Sequence, residues 1–302
     1  MRKIYQILSI SGTDPSGGAG MQADLKTFSA LGAYGASIIT SLVSQNTLGV
    51  QKIFSVSEEC IISQIDSVIN DLKIDAIKIG MILKPSVIRT IFEKIKNCFT
   101  PWIILDPVIF AKDGSRLLKK ESEDLLKNIL IPCASIITPN LLEAGLLLGT
   151  SVAHNEEQMK KQGRSLLQYG CKAVLIKGGH LNTRNSPDWL ISKESEVRFN
   201  TDRILTKNTH GTGCTLSAAL AALRPKCKNW ETTIKLAKKW LTVPKVSIDI
   251  EIGFDTPIAY DIWISQHSAN PEATMFFAIY RKAYVAERST LEGSLPESEP
   301  PP

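Results

Sequence analysis

The chain has 302 residues, 43% of them hydrophobic, with 35 lysines and arginines against 30 aspartates and glutamates and a formal charge of +5. That is enough material for one large α/β domain or two ordinary ones, and the interspersed charges exclude the basic stripe of a nucleic-acid-binding protein. No apolar run reaches the roughly 18 residues of a membrane span. The six cysteines, at 60, 98, 133, 171, 214 and 227, form no CxxC pair and no close set with histidine, so they read as reduced thiols of a cytoplasmic protein rather than zinc ligands.

The start, MRKIYQILSISGTDPSGG, is basic but meets glycines too early for a secretory leader, so YQILSI (5–10) is expected to be a first buried strand. Further apolar runs bounded by turn residues follow: ASIITSLV (36–43), AIKIGMI (76–82), WIILDPVI (102–109), ASIITPN (134–140) and AVLIKGG (173–179). Between them lie segments of helical period: MQADLKTFSALG, EECIISQIDSVINDL, PSVIRTIFEKIKNCF, SEDLLKNILIP, LLEAGLLLGT and EEQMKKQGRSLLQYG. Strand and helix thus alternate over roughly the first 240 residues, and strands apolar on both faces imply a mostly parallel sheet covered by helices on each side. DWLISKESEVRFNTDRI reads as a polar hairpin or a pair of edge strands. One domain is expected over 1–263, with 264–302 an atypical tail whose Ser, Glu and Pro ending predicts partial disorder.

An open sheet of this kind binds ligands beyond the carboxyl ends of its strands. There the sequence turns polar at SGTDPSGGAG, SQNT, GM, DPV, TPNLLE, KGGH and THGTGC. In the last of these, Gly211 and Gly213 let the backbone approach a ligand and TLSAALAAL continues as a helix, an arrangement suited to the oxygens of a migrating phosphoryl group or simply to a bare helix start. The pattern is neither GxxxxGK[ST] nor GxGxxG. In SGTDPSGGAGMQADLKT, Asp14 or Asp24 could meet a polar substituent; alternatively Asp14 opens a turn with Pro15 and Asp24 is a solvated helix residue. Gln45 can offer donor and acceptor to one edge of a heterocycle, or be a bland surface amide.

Asp106, Asn140 and Glu143 at neighbouring strand exits suit Mg²⁺, which takes few protein oxygens, although Asn140 also reads as a helix cap and Glu143 as a first-turn carboxylate. Lys177, at the end of a buried strand, must reach something wet or anionic and suits a phosphate. His180 and His210 read as polar loop residues before bases, and His154 and His267 attract no role. Cys214 alone leaves packing, redox chemistry and catalysis open.

Together these stretches resemble the ribokinase-like superfamily, and closely its hydroxymethylpyrimidine and phosphomethylpyrimidine kinase branch of thiamine biosynthesis. The resemblance is carried by GTDPSGGAGMQADLKTFSALGAYG, TSLVSQNTLGV, AIKIGM, ILDPV, TPNLLEA, VLIKGGH and NTHGTGCTLSAALAA, in that order. It implies a three-layer α/β/α sandwich, with ATP and Mg²⁺ serving two phosphorylations in one site. The first acts on the hydroxymethyl group of 4-amino-5-hydroxymethyl-2-methylpyrimidine, the second on the resulting monophosphate. It further implies that Gln45 binds the aminopyrimidine, with Gly12, Asp24, Met81 and Val108 shaping the pocket. Asp106, Asn140, Lys177 and His210 would meet the nucleotide, and Glu143 and Asp106 would lie near Mg²⁺. Gly211, Thr212, Gly213 and Cys214 would form the anion hole beside Lys177, and the protein would form a homodimer. Cys214 is then the expected base toward the acceptor hydroxyl, its pKa lowered by the helix N-terminus, in a reaction whose loose transition state depends more on positioning than on base strength.

The chain departs from this pattern near its end. A GxGxGP-like stretch is replaced by IGFDTPIAYDIW (252–263), and the helix after the anion hole runs into RPKCKNW without a glycine turn. Two alternatives follow: a pyridoxine or pyridoxal kinase of the same fold, and a non-catalytic pyrimidine-binding relative with weakened ATP binding.

Overall fold

The computed structural model describes residues 3–46, 49–96, 100, 102–110, 114, 116–181, 183–203 and 210–242. Strand β1 (Gln6–Ser11) leads through the first glycine loop into α1 (Gly20–Ala30), β2 (Tyr34–Ile39) and a hairpin of β3 (Ser41–Asn46) and β4 (Gly49–Ser55). Then come α2 (Glu58–Ile69), β5 (Ala76–Ile79), α3 (Pro85–Ile95), β6 (Ile103–Leu105) and α4 (Lys120–Leu125), which a π-helical turn joins to α5 (Ile131–Cys133). The order continues with β7 (Ile136–Ile137), α6 (Leu141–Leu148), α7 (Glu156–Leu167), β8 (Ala173–Lys177), β9 (Asp188–Ser192), β10 (Glu196–Phe199), α8 (Thr212–Leu223) and α9 (Trp230–Thr242). The expected tail at 264–302 and the altered stretch at 252–263 lie outside the described residues.

The main sheet has eight strands in the order β10-β9-β8-β7-β6-β5-β1-β2. It is parallel from β2 to β8, and β9 and β10 extend it antiparallel, as the polar segment after KGGH predicts. Strand residues alternate between its faces. Leu8, Ile10, Ile77 and Ile79 pack with α2, α3, α6 and α7 on one side, while Ile7, Ala76, Ile104 and Leu175 pack with α1, α8 and α9 on the other. The result is the three-layer sandwich expected from the alternation. No helix among the described residues is long and apolar enough to cross a membrane.

One strand expectation needs correction. ASIITSLV is not one strand but two in different sheets, β2 in the main sheet and β3 in the hairpin. Thr40 makes the break: its amide donates to Ser11 O at 3.0 Å and its hydroxyl to Met81 O at 2.8 Å, so the chain is tied to two strand exits before it turns away. β4 carries GVQKIFS, whose mixed polarity gives no core face to recognise in the sequence, and Leu42 and Phe54 sit opposite each other and exposed. At the far end of the sheet, RPKCKNW has a structural job: the Arg224 guanidinium lies 3.7 Å from the centre of the Trp102 ring and 5.0 Å from that of Trp230.

Candidate active site

Helices α2, α6 and α7 begin with side-chain caps from Ser57, Asn140 and Asn155 and carry glutamate in the first turn. α1 and α8 have neither cap nor first-turn acid. The start of α1 is met by the Asp14 carboxylate through the Ala19 amide and by Gly12 O through the Met21 amide at 2.9 Å, and α8 begins beside it. The close approach requires glycine at two places. A β-carbon on Gly211, whose φ is +73°, would lie 1.7 Å from Gly18 O, and one on Gly20, whose φ is +57°, would lie 2.5 Å from Gly12 O. The first intrahelical bond of α8 runs from Thr215 N to Gly211 O, so the Gly213 and Cys214 amides have no acceptor within the helix.

Asp14 locks the two loops together. It accepts from the amides of Ser16 at 2.9 Å and Ala19 at 2.7 Å, and meets His210 Nε2 at 2.8 Å. Burial alone would raise this carboxyl, but hydrogen bonds from His210, Ser16, Gln45 and Ala19 outweigh it and hold Asp14 well below the usual carboxylate range. Gln45, at a register shift in β3, thus touches the same loop from the hairpin side. Gly12 is pressed against Met81, whose Cε is 2.2 Å from where a β-carbon would stand; Ser41 Oγ, buried and unpaired, is 2.7 Å from the same point.

Under the start of α8 lies a second charged group. Asp106 accepts from Thr138 at 2.9 Å, Lys177 at 3.1 Å and Ser217 at 3.2 Å. A β-carbon on Gly213 would lie 3.3 Å from Lys177 Nζ and 3.9 Å from Asp106 Oδ2, which puts the ammonium directly against the loop. Burial opposes both charges, but each partner more than offsets it: Asp106 is lowered by Lys177 and Lys78, and Lys177 is raised by Asp106 and Glu143. Glu143 lies behind them. Burial pushes its carboxyl up to about 7, Lys177 opposing and the Asp106 charge adding to the rise.

A third group seals the floor. Lys78 Nζ is 2.9 and 2.8 Å from the two oxygens of Asp24, and Ser9 Oγ donates to Asp24 at 2.6 Å. Lys78 and Asp24 are both 0% exposed.

The structure brings Gly211, Gly213, Cys214, Lys177 and Asp106 into one cluster, and Gln45, Gly12 and Met81 around the neighbouring exits of β1, β3 and β5; Val108 follows β6, half-buried. It corrects other expectations. Asp24 is neither solvated nor available to a substrate, since both its oxygens are taken inside the core. His210, expected on the nucleotide, spends Nε2 on Asp14. Asn140 and Glu143 form a reciprocal capping box, so Asn140 keeps only its Nδ2 donors for a ligand.

Nor does the metal expectation hold as stated. Glu143 accepts from the Asn140 and Ile109 amides and Asp106 from three side chains, and among the described residues no three acidic, cysteine or histidine groups gather to hold an ion. Direct ligation of Mg²⁺ by this pair does not fit the donor arrangement.

Cys214 also behaves differently from its expected role. Burial raises its thiol to about 11; Lys78 opposes that rise, as does the Gly20 amide, while Asp106 and Asp24 add to it. Although the residue is only half-buried, desolvation of the sulfur outweighs the charges and the amide that lower it, so at neutral pH it keeps its proton. The five described cysteines, Cys60, Cys133, Cys171, Cys214 and Cys227, are free.

Three residues escaped sequence reading. Lys78 had a signal, a lysine inside the apolar run AIKI, which must find a buried partner. Asp188 and Lys238 had none: Asp188 accepts from Gly178 N at 2.9 Å and pairs with Lys238 of α9, so the KGG turn is held from α9.

Two glycine loops leading into helices at the carboxyl edge of a mostly parallel sheet, with a lysine paired to an aspartate beneath the start of α8, fit a small-molecule kinase of the ribokinase-like class. Sequence comparison narrows this: residues 14–253 match the sequence model of a family described as phosphomethylpyrimidine kinase. The chain belongs to the phosphomethylpyrimidine kinase family. It is 52% identical over 252 residues to the hydroxymethylpyrimidine/phosphomethylpyrimidine kinase of Escherichia coli K12, covering 83% of this chain and 95% of that one. Among solved structures, the phosphomethylpyrimidine kinase of Clostridium difficile 630 is similar at 39% identity and a TM-score of 0.70, covering 79% of this chain and 98% of that chain. An ADP complex of Bacillus subtilis pyridoxal kinase is similar at 32% identity and a TM-score of 0.74, covering 79% and 90%. The pyridoxal kinase superposes slightly better and is less identical, so backbone shape does not separate the two substrates and the residues must.

Proposed function

We propose that the chain transfers the γ-phosphoryl group of ATP to the hydroxymethyl group of 4-amino-5-hydroxymethyl-2-methylpyrimidine, and then phosphorylates the monophosphate to the diphosphate, in the cytoplasm. The observation that carries this reading is the interlock of the THGTGC and SGTDPSGGAG loops over Lys177 and Asp106, in a chain 52% identical to a kinase named for both steps. The pyrimidine lies among Gln45, Gly12, Met81 and Val108. Lys177 and the amides at the start of α8 meet the transferring phosphoryl oxygens, where positive charge fixed in advance lowers the barrier without reorganisation. Mg²⁺ arriving with the nucleotide would supply further charge neutralisation.

Cys214 faces the acceptor from α8 as a thiol. If its thiolate takes the hydroxyl proton, kcat climbs with pH toward 11, about tenfold per unit; a flat profile from pH 7 to 9 assigns it to packing and hydrogen bonding. The exposed Leu42 and Phe54 of the hairpin suit burial in a homodimer, which sedimentation measures.

Coupled ADP release with the hydroxymethylpyrimidine, its monophosphate and pyridoxal tests the reading. Turnover on both pyrimidines is expected. A strong preference for pyridoxal overturns the substrate, and pyrimidine binding without ADP release returns the chain to a non-catalytic role.

A further inference from the structure

The turn at 178–181, closed by Leu181 N donating to Gly178 O at 2.9 Å, follows Lys177 directly and is held from two sides. On one, Gly178 N donates to Asp188 at 2.9 Å, and a β-carbon on Gly178 would lie 1.9 Å from Pro187 O. On the other stands Arg203. Its backbone is set by an antiparallel bridge between Asn185 and Asp202 and by Ser186 N donating to Thr201 O at 2.9 Å. Its guanidinium donates to three carbonyls: Nε to Thr183 O at 3.0 Å, Nη1 to Gly179 O at 2.7 Å and Nη2 to Leu181 O at 2.6 Å. Alternate carbonyls of one short stretch thus converge on one planar fork, a geometry that the single nitrogen of a lysine does not reproduce. No peptide bond among the described residues is cis. In a trans peptide plane the N–H points opposite to the C=O, so the amides of His180 and Arg184 face away from the guanidinium. The stretch has a carbonyl side, gathered by Arg203, and an amide side.

Sheet order fixes what lies next to the turn. Gly12, Met81 and Val108 follow β1, β5 and β6, whereas β7 and β8 continue the sheet beyond β6. Lys177 ends β8 with its ammonium against Gly213 of the anion loop. With the pyrimidine at the exits of β1, β5 and β6 and the transferring phosphoryl group at Lys177, the rest of the nucleotide falls to the exits of β7 and β8. We propose that Arg203 is a positioning residue for ATP: it draws the carbonyl oxygens of Gly179, Leu181 and Thr183 away from the anionic nucleotide and leaves the amide side of the turn toward it. Released from the fork, those oxygens would be free to turn toward the phosphates and repel them. The identity of the ligand rests on the kinase reading above; the convergence of the three carbonyls does not.

The test compares Arg203→Lys and Arg203→Ala with the unsubstituted full-length chain, by calorimetric titration of ADP, separate KM values for ATP and the hydroxymethylpyrimidine, and thermal unfolding. Both variants are expected to bind ADP about tenfold more weakly and to raise KM for ATP by a similar factor. KM for the pyrimidine, and kcat at saturating ATP, should stay within about twofold. Arg203→Lys is the sharper variant, because the charge stays and the fork goes; full ADP affinity there overturns the role of the fork. Unchanged ADP affinity in both variants overturns the inference and leaves the kinase reading intact. A purely structural staple would lower the unfolding temperature and weaken pyrimidine and nucleotide alike, which also overturns it. If the unsubstituted chain binds ADP but phosphorylates neither pyrimidine, the kinase reading falls and the ADP titrations still decide the role of Arg203; a chain that binds no ADP removes both.

Discussion

On the side of the sheet covered by α2, α3, α6 and α7, the strands present branched apolar side chains along their whole length, and the helices answer with Ile61, Ile65, Ile88, Ile91 and Leu147. On the other side, Ile7 and Ala76 lie level near the amino ends, but Ser9 and Lys78 follow in the row of Ile104, and Asp106 lies one row further toward the carboxyl ends. The helix lying there, α8, buries Ala218, Ala219, Ala221 and Ala222. Small residues let its backbone sit close to the sheet, which brings its amino end against Lys177 and Asp106. One face is bulk that can yield; the other holds the backbone at a fixed distance from buried charge. The two should respond differently to substitution.

The sharpest break falls on the crowded face. Gly211→Val places side-chain atoms where Gly18 O stands and demands a backbone conformation that valine resists. Phosphoryl transfer should drop by at least about 1000-fold, the upper range for losing one preorganised donor, in an ADP-release assay; near-normal turnover would mean the loop is not the anion hole.

On the apolar face, Ile91→Ala opens a cavity under α3 and should cost about 3 kcal/mol in urea unfolding. Both KM values and kcat should survive it at temperatures where the variant stays folded. Ala219→Leu makes the converse case, overpacking the sheet side of α8 for about 1–3 kcal/mol. Because α8 carries the loop, kcat should fall with stability here. Equal catalytic loss in both variants would erase the distinction between the faces.

The same division explains what the sequence reveals. Parallel strands are legible as apolar runs because both faces are covered, and six of the expected runs contain strands of the main sheet. The break inside ASIITSLV is invisible because Ile38 and Val43 are both buried and only Thr40 separates the two strands that carry them. The site is legible as polar strand exits, but not the engagement of each side chain. Lys78 in AIKI announces a buried partner, but Asp24 is 54 positions away and looks like a surface charge until the fold closes the two together. For Cys214 the helix end can be read from sequence; the desolvation that raises the thiol of this half-buried residue cannot.

The smallest expected effect concerns the bond between the two loops. The pKa of Asp14 is lowered by folding, so the unfolded chain takes up its proton more readily than the folded one. Its contribution is therefore whole above the unfolded value of about 3.9, and is lost as pH falls from there through the folded value. Asp14→Asn keeps the shape but gives up the charge-assisted bonds to Ser16, Ala19 and His210. It should cost about 1 kcal/mol at pH 7, and urea midpoints of variant and parent should approach one another only below about pH 4. If the gap instead persists unchanged down to about pH 2, the loss in the variant comes from the packing of the loops and not from the charge of the Asp14 carboxylate.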